Sequence, residues 1–381
     1  MALSKRAATG PIVHIMMRLY YGGAEMLVKN LATRFVAAGR PTEIWLFYRA
    51  ETISPGDETV LEAERVLLRE LEEAGVVCRF LDKQPGGDYL HVWKRIRRLA
   101  KELRPALVHL HLEEISFHGT VALTGLRVPL VQTIHSTLVR RPQLLKYYFK
   151  RRHKRLIAIS HEVMQVLADH GITEPQAVYI RNGIETKRYA SVRDSQRPVR
   201  QIISVASLTP VKNHALQIRA LGLLRDRWLA EGRAEEDLPQ LRIVGEGPLR
   251  SELEDLVAEL DLKDHVELSG VSNQIPEDLA QADIFSLASD YEGISIAIME
   301  AMASQLPITV TNMTGAKELI RRNETGTVVE IGDHAGMAQA WYELITEPER
   351  RLRYAQNVQA DVAALDIAET TEAYLAVYDG L

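Results

Sequence analysis

The sequence reads as an α/β protein made of two doubly wound, parallel-sheet domains, and three observations predict this. Short apolar runs alternate with helix-period stretches along nearly the whole chain. Its 381 residues suffice for two domains, each with a core of its own. The formal charge also changes sign midway: residues 1–190 hold 29 Lys and Arg against 19 Asp and Glu, a balance of +10, and residues 191–381 hold 17 against 32, or −15. Such asymmetry points to separate domains, one of them facing an anionic surface or ligand.

The first domain opens on Ile12-Val-His-Ile-Met-Met17, an apolar run that ends at Tyr20-Tyr-Gly-Gly23. Ala24, Leu27, Val28, Leu31 and Phe35 then recur at helical spacing up to a stop at Gly39. Segments 42–48, 76–81, 107–112, 130–134, 155–159 and 177–180 predict further strands, with helical stretches ending before Gly75, Pro105 and Gly171. Between Glu185 and Val199 a polar stretch without apolar periodicity coincides with the change of charge sign, and it predicts the linker. The alternation restarts with strands at 201–206, 240–244, 266–269, 284–287, 308–311 and 327–329, separated by helical runs such as 214–229 and 249–260. Apolar strands separated by helices argue for parallel sheets covered on both faces. Ligands bind such sheets beyond the carboxyl ends of the strands, so two domains facing each other would enclose a cleft. The expected divisions are 1–187, 188–360 and a terminal helical segment 361–381.

Composition excludes several classes. With 46% hydrophobic and 25% charged residues the chain is of ordinary globular type, and no run approaches the roughly 18 consecutive apolar residues that a membrane span needs. Cys78 is the single cysteine, so neither an intrachain disulfide nor a multi-cysteine zinc site is available. Residues 1–10 carry no apolar signal region, which makes the cytoplasm the expected compartment. No Asp-x-Asp pair occurs, and His109-x-His111 offers two metal ligands without a third. A nucleophile elbow and a P-loop are absent as well.

The most informative segment is Asp290-Tyr-Glu-Gly-Ile-Ser-Ile-Ala-Ile-Met-Glu-Ala-Met-Ala303. Glu292 falls between a strand and a helix, and Glu300 lies about two helical turns further on. At ~100° per residue the two carboxylates face broadly one side, ~12 Å apart along the axis. That spacing suits the two ends of an extended polyhydroxyl ligand. It equally allows Glu300 to sit on the solvent side of its helix, and spacing alone does not separate the two readings.

Together with Thr314-Gly-Ala-Lys-Glu-Leu-Ile320, this segment resembles the donor-site signature of the family 4 glycosyltransferases, retaining enzymes of GT-B architecture. Further matches stand in the family's order: Gly22-Gly-Ala-Glu25, Thr133-Ile-His135, Arg181-Asn-Gly-Ile-Glu185, Ser207-Leu-Thr-Pro-Val-Lys-Asn213 and Val244-Gly-Glu-Gly-Pro248. The resemblance implies two Rossmann-like domains facing a central cleft, with a nucleotide sugar held mainly by the second and segment 361–381 crossing back to the first. It implies that Glu300 accepts hydrogen bonds from the nucleotide ribose and Glu292 from the donor sugar. Lys212 would neutralise the departing diphosphate, and His135 would lie beside the donor sugar. Gly293 and the amides of Ile294 and Ser295 are expected at a helix N-terminus, where unpaired N–H groups suit phosphate or sugar oxygens. Ser207 and Gly245 belong to the same donor site. Gly22 and Gly23 would let backbone amides approach phosphate or acceptor, and Glu25 would begin the next helix on the acceptor side, where a carboxylate suits the dipole.

Three positions depart from the pattern. Ala206-Ser207-Leu208 stands where family members often have Gly-Arg-Leu, so one diphosphate cation is missing or comes from elsewhere. Gln305 replaces a glycine and Glu185 an aspartate.

Residues 140–155 contain eight Lys or Arg and no acid, interleaved with Leu144, Leu145, Tyr147, Tyr148 and Phe149. Arg140, Arg141, Lys146, Lys150, Arg151 and Arg152 are therefore candidates for contact with a lipid-linked acceptor or an anionic membrane surface. A plain solvated face explains the same charges, and nucleic acid is a lesser alternative.

The resemblance implies a retaining glycosyltransferase that needs neither cofactor nor metal. It would move a hexose or related sugar from a nucleotide diphosphate sugar to a hydroxyl of a glycan or lipid-linked acceptor. The expected setting is cell-surface polysaccharide or lipopolysaccharide assembly at the inner face of the cytoplasmic membrane, without nucleic acid as a partner. Two rival readings stand beside it: another GT-B enzyme such as a nucleotide-sugar epimerase, and a catalytically silent GT-B binding subunit, which Ser207 motivates.

Overall fold

A computed structural model describes residues 10–150, 154–190 and 197–381. Among these residues thirteen strands form two sheets, parallel throughout. The first consists of β1 (Ile12–Met16), β2 (Thr42–Leu46), β3 (Val77–Phe80), β4 (Leu107–Leu110), β5 (Leu130–Ile134), β6 (Lys154–Ala158) and β7 (Ala177–Tyr179), in the spatial order 3-2-1-4-5-6-7. The second consists of β8 (Gln201–Val205), β9 (Gln240–Val244), β10 (Val266–Gly270), β11 (Ile284–Leu287), β12 (Ile308–Thr311) and β13 (Gly326–Val329), in the order 10-9-8-11-12-13. Both orders reverse direction next to the first strand of the sheet, between β1 and β4 and between β8 and β11. In doubly wound folds that switch point is where ligands bind.

The central strands β1, β2, β4 and β5 are buried at every residue, as a sheet covered by helices on both faces requires. Alternation along β1 divides its side chains between two cores. Val13 and Ile15 join Trp45, Phe47, Val108 and Leu110 on one face. Ile12 packs on the other with Leu27, Leu31 and Phe35 of the helix Gly23–Ala37. That helix ends where Gly39 takes φ +76 and Arg40 N donates back to Phe35 O at 2.8 Å, a left-handed exit that glycine makes without a Cβ clash. In the second sheet Ile202, Leu241, Ile243 and Ile284 meet Leu221, Leu224 and Trp341 in a separate core.

The chain divides into two compact units: residues up to Asn182 together with Ile367–Leu381, and Gly183–Asp366. The division falls ahead of the expected 187/188 boundary because the short helix Thr186–Tyr189 packs in the second unit. Ile184 N donates to Leu365 O at 2.9 Å, and Thr186 Oγ1 donates to Asp366 Oδ2 at 2.6 Å. The terminal segment that joins the first unit begins at Ile367 rather than 361. The helix Pro348–Val362 before it is anchored in the second unit by Tyr354, whose side chain is fully buried. On the first unit the final helix, Ile367–Asp379, lays Ile367, Tyr374 and Tyr378 against Ile12, Phe35 and Val131. Among the described residues no helix is long and apolar enough to cross a membrane.

Candidate active site

In the second unit the sequence motifs occupy the loops that leave the carboxyl ends of β8, β9, β11 and β12. The loop after β8 lies directly against the loop after β9. Leu208 N donates to Glu246 O at 2.9 Å and Leu249 N to Leu208 O at 3.1 Å. This approach explains two glycines: a Cβ on Gly245 would lie 2.0 Å from Ala206 O, and one on Gly247 would lie 2.4 Å from Leu208 O. His214, buried at the start of the helix His214–Ala230, donates from Nε2 to Ser207 O at 3.2 Å and fixes the loop from behind. Burial holds its pKa down at about 4, so the ring stays neutral at pH 7. Ser207 itself exposes its side chain, whose hydroxyl lies 3.4 Å from that of Thr209.

The β8 and β11 loops are tied together. Asp290 N donates to Val211 O at 2.9 Å, and Asn213 Nδ2 donates to Asp290 Oδ1 at 3.2 Å. The tie brings Lys212 to Glu292, Nζ to Oε1 at 2.5 Å, and the same oxygen accepts from Ser289 Oγ at 2.8 Å. Ser289 is held in turn by Thr311 Oγ1, which donates to its carbonyl at 2.6 Å.

The helix that follows runs over Ile296–Ala303, with Ser295 as its N-cap in extended conformation. Gly293 and Ile294 therefore precede the helix instead of opening it. The unpaired N–H groups of the helix start are those of the N-cap Ser295 and of Ile296, Ala297 and Ile298, since Met299 N is the first to donate within the helix. Glu292 and Glu300 likewise do not share one helix, so the 12 Å axial spacing expected for them does not apply. Gly315 lets the next loop close on this segment, since a Cβ there would lie 2.6 Å from Gly293 O.

Glu300 is the fifth residue of that helix, and it does not face open solvent. Its Oε1 accepts from the Tyr189 hydroxyl at 2.6 Å, and removal from water raises its pKa to about 7 although that hydrogen bond opposes the shift. Tyr189 is itself buried. It lies in the stretch that reads from sequence as linker, and no motif marks it. His214 also escapes the sequence reading, because a histidine opening a helix carries no signal of its own.

In the first unit Gly22 is the N-cap of the helix Gly23–Ala37. A Cβ on Gly22 would lie 2.3 Å from Glu25 Oε2, so the glycine leaves room for the Glu25 carboxylate to fold back over the helix start. Burial raises the Glu25 pKa, against a hydrogen bond from its own amide and the charge of Arg18.

His135 follows β5 directly and is half-buried, and desolvation lowers its pKa to about 4. Its Nε2 lies 3.3 Å from His111 Nδ1, and His111 Nε2 lies 2.9 Å from His14 Nδ1. His14 supplies the third histidine that the sequence reading of His109-x-His111 lacked: His14, His109 and His111 each place a ring nitrogen within 4.8 Å of the others. All three are buried, however, and their nitrogens are largely committed to hydrogen bonds. His109 bonds the Tyr378 hydroxyl at 2.6 Å and the Thr133 hydroxyl at 2.9 Å. The constellation reads as a hydrogen-bonded network rather than an open ligand set.

Arg140, Arg141 and Lys150 are exposed along the helix Pro142–Tyr148 and its flanks, beside Leu138 (58% exposed) and Tyr147 (64%). Lys150 Nζ sits 4.8 Å above the Tyr147 ring. Lys146 is exposed on the same helix, and its Nζ donates to His170 O at 3.3 Å, at the end of the helix His161–Asp169. Arg151 and Arg152 lie outside the described residues.

Comparison with known proteins agrees with this architecture. A family model described as "Glycosyltransferase Family 4" matches residues 21–188, and one described as "Glycosyl transferases group 1" matches residues 187–361. The amylovoran biosynthesis glycosyltransferase AmsK of Erwinia amylovora is 27% identical over 357 residues, covering 83% of this chain and 86% of that protein. An N-acetylgalactosaminyltransferase of Campylobacter jejuni, named for a diphospho-undecaprenol-linked substrate, is 33% identical over 166 residues, and the match spans only 42% of its length. The crystal structure of Anabaena HepE in complex with UDP and glucose superposes with a TM-score of 0.80 at 19% identity, covering 98% of this chain and all of that one. At that identity the likeness speaks for the GT-B fold.

Proposed function

Because the chain belongs to the family 4 glycosyltransferases, we propose that it is a retaining, metal-independent enzyme. It transfers a hexose or related sugar from a nucleotide diphosphate sugar to a hydroxyl of a glycan or lipid-linked acceptor. The observation that carries the reading is the meeting of Lys212 with Glu292, on loops tied together at the switch point of the second sheet. A cation and a carboxylate held there match the two needs of a sugar diphosphate, one group for the phosphate charge and one for the sugar hydroxyls. Glu300, deeper in the same unit and bonded to Tyr189, provides the acceptor for ribose hydroxyls.

In this reading the C–O bond between sugar and diphosphate breaks while an acceptor hydroxyl adds on the same face, and the acceptor's proton passes to the departing diphosphate. Lys212 and the free amides at the start of the helix Ile296–Ala303 stabilise the charge that develops on the leaving group. Ser207 contributes at most one hydrogen bond where an arginine would give several, so Lys212 carries a larger share of that work. His135 of the first unit is assigned to the donor sugar by its motif.

The names of relatives support an acceptor in surface-glycan assembly, one in amylovoran biosynthesis and one with a diphospho-undecaprenol substrate. The exposed basic and aromatic surface around Arg140, Arg141, Tyr147 and Lys150 suits a lipid-linked, pyrophosphate-bearing acceptor at the cytoplasmic face of a membrane.

The test is product analysis by proton NMR after incubation with UDP- and GDP-hexoses and an undecaprenyl diphosphate-linked sugar, with and without EDTA. An α-linked product from an α-donor, formed equally with chelator, is expected. An inverted product or loss of activity in EDTA would contradict the proposal. Donor epimerised without acceptor would favour the epimerase reading.

A further inference from the structure

The histidines of the first unit form a chain whose hydrogen bonding can be counted. His14 lies on β1 in register with His109 of β4, and His109 and His111 share one face because they are two residues apart. From His135 inward the contacts run His135 Nε2 to His111 Nδ1 at 3.3 Å, then His111 Nε2 to His14 Nδ1 at 2.9 Å. His14 Nε2 ends the chain, buried and without a hydrogen-bond partner among the described residues. Phe35 stacks on this ring at 5.9 Å between centroids and offers no acceptor. His109 stacks on His111 at 4.1 Å, but both of its nitrogens are taken by Tyr378 and Thr133.

Desolvation keeps the three rings of the chain neutral at pH 7, so each carries one N–H and one bare nitrogen. Two contacts joining three such rings leave only two consistent arrangements. Either every proton sits on Nε2 and the chain points inward, or every proton sits on Nδ1 and it points outward. A mixture puts two protons, or none, into one contact. The inward chain ends on a buried His14 Nε2–H with no acceptor, whereas the outward chain ends there on a bare nitrogen. Among backbone groups a buried N–H without a partner is rarer than an under-satisfied acceptor, and we carry that order over to the ring nitrogen.

We propose that His111, backed by His14, is a positioning residue that holds His135 as its Nδ1–H tautomer, so that His135 presents a hydrogen-bond donor and not a base. The inference about what that donor serves rests on the transferase reading, in which it meets an oxygen of the transferred sugar. The tautomer itself does not depend on that reading. It also runs against the preference of free histidine in water, which favours Nε2–H.

Long-range proton–nitrogen correlation spectra of the protein with 15N-labelled histidine rings read each tautomer directly. The expected result is the Nδ1–H pattern at His14, His111 and His135, assigned by loss of each signal in single variants. An Nε2–H pattern at His135 overturns the proposal whatever the activity. His111→Asp, which puts an acceptor where Nδ1–H donates, is expected to turn His135 to Nε2–H and to lower kcat by roughly tenfold or more with a smaller effect on KM. His111→Asn, whose amide N–H falls near the position of Nδ1, is expected to preserve both. An unchanged His135 tautomer in folded His111→Asp overturns the positioning role. If His111→Asp fails to fold, the wild-type spectrum decides alone. Absence of transferase activity in the wild type would sink the functional reading and leave the tautomer measurement standing.

Discussion

Lys212 and Glu292, 80 residues apart in the chain, meet at 2.5 Å, with the Ser289 hydroxyl sharing the same carboxylate oxygen. The side chains are 22% and 11% exposed, so the pair is neither free in water nor sealed in the core. In the proposed reaction a diphosphate arriving at Lys212 would meet a cation already held in place, at the cost of loosening its bond to Glu292, and Glu292 would then be released toward the sugar hydroxyls.

Lys212→Ala is expected to lower kcat by about 10²–10³-fold, the usual effect of removing one group that stabilises charge in the transition state. It should also destabilise the fold by about 1–3 kcal/mol, because Glu292 is left partly buried without its cation. Adding Glu292→Gln should restore much of the stability and none of the activity. Steady-state kinetics and urea unfolding of both variants separate these effects, and a single variant with near-native kcat would remove Lys212 from the mechanism.

Glu300 makes the protein pH-sensitive in a defined window. Its pKa is raised from 4.5 to about 7, so between those values the native state holds a proton that the unfolded chain has released. Its contribution to stability is fully present below pH 4.5 and is lost as pH rises through 7. Glu300→Gln should therefore be more stable than wild type at pH 8, by on the order of 3 kcal/mol at most, and the difference should shrink toward pH 5. Nucleotide-sugar affinity should move oppositely, rising in the wild type from pH 6 to 8 as the carboxylate ionises to accept ribose hydroxyls, and staying flat in Glu300→Gln. Calorimetry across that range checks both trends.

Gln305 sits just past the helix Ile296–Ala303 with φ +56, a left-handed conformation that an L side chain adopts at a cost. The glycine common at this position in the family pattern avoids that cost. Gln305→Gly is expected to stabilise the protein by about 1 kcal/mol, with activity unchanged, as read by urea unfolding. A destabilised variant would mean that the glutamine side chain has a contact of its own worth more than the strain.

The exposed Leu138, Leu144 and Tyr147 beside Arg140, Arg141 and Lys150 should bind vesicles containing phosphatidylglycerol and not purely zwitterionic ones. Binding should weaken as salt rises from 50 to 500 mM, in line with roughly 8–10 Å screening lengths near physiological ionic strength. Leu138→Ser combined with Tyr147→Ser should reduce co-sedimentation. Equal binding to both vesicle types would leave this surface as a solvated face.

Much of the fold was legible because many of the strands are short apolar runs closed by glycine, proline or polar residues. The expected runs at 130–134, 240–244, 284–287 and 308–311 coincide with β5, β9, β11 and β12. The pairing order was not legible, since period and composition do not say which strands become neighbours. That is why His14 read as an ordinary strand residue. Only the 3-2-1-4 order places it beside His109, 95 residues away in sequence, and builds the histidine chain.

Tyr189 was hidden for a different reason. A single aromatic in a polar stretch carries no periodic signal, and its value comes from a helix one turn long that sets it against Glu300. The start of the helix Ile296–Ala303 was misplaced by a few residues because Gly293, Ile294 and Ser295 are compatible with either a loop or a first turn. The extended backbone of Ser295 decides it.

Thermal-shift titration with UDP, GDP, ADP and their sugar conjugates, on wild type and on Glu300→Ala and Lys212→Ala, tests the proposed donor site most directly. A ligand at a hundred times its dissociation constant adds about 2.7 kcal/mol to stability, a shift that is readily measured. The expected result is that one nucleotide series stabilises the wild type and that both folded variants lose the response. Stabilisation undiminished in both variants, or no response to any nucleotide, would contradict a donor site built on Lys212 and Glu300.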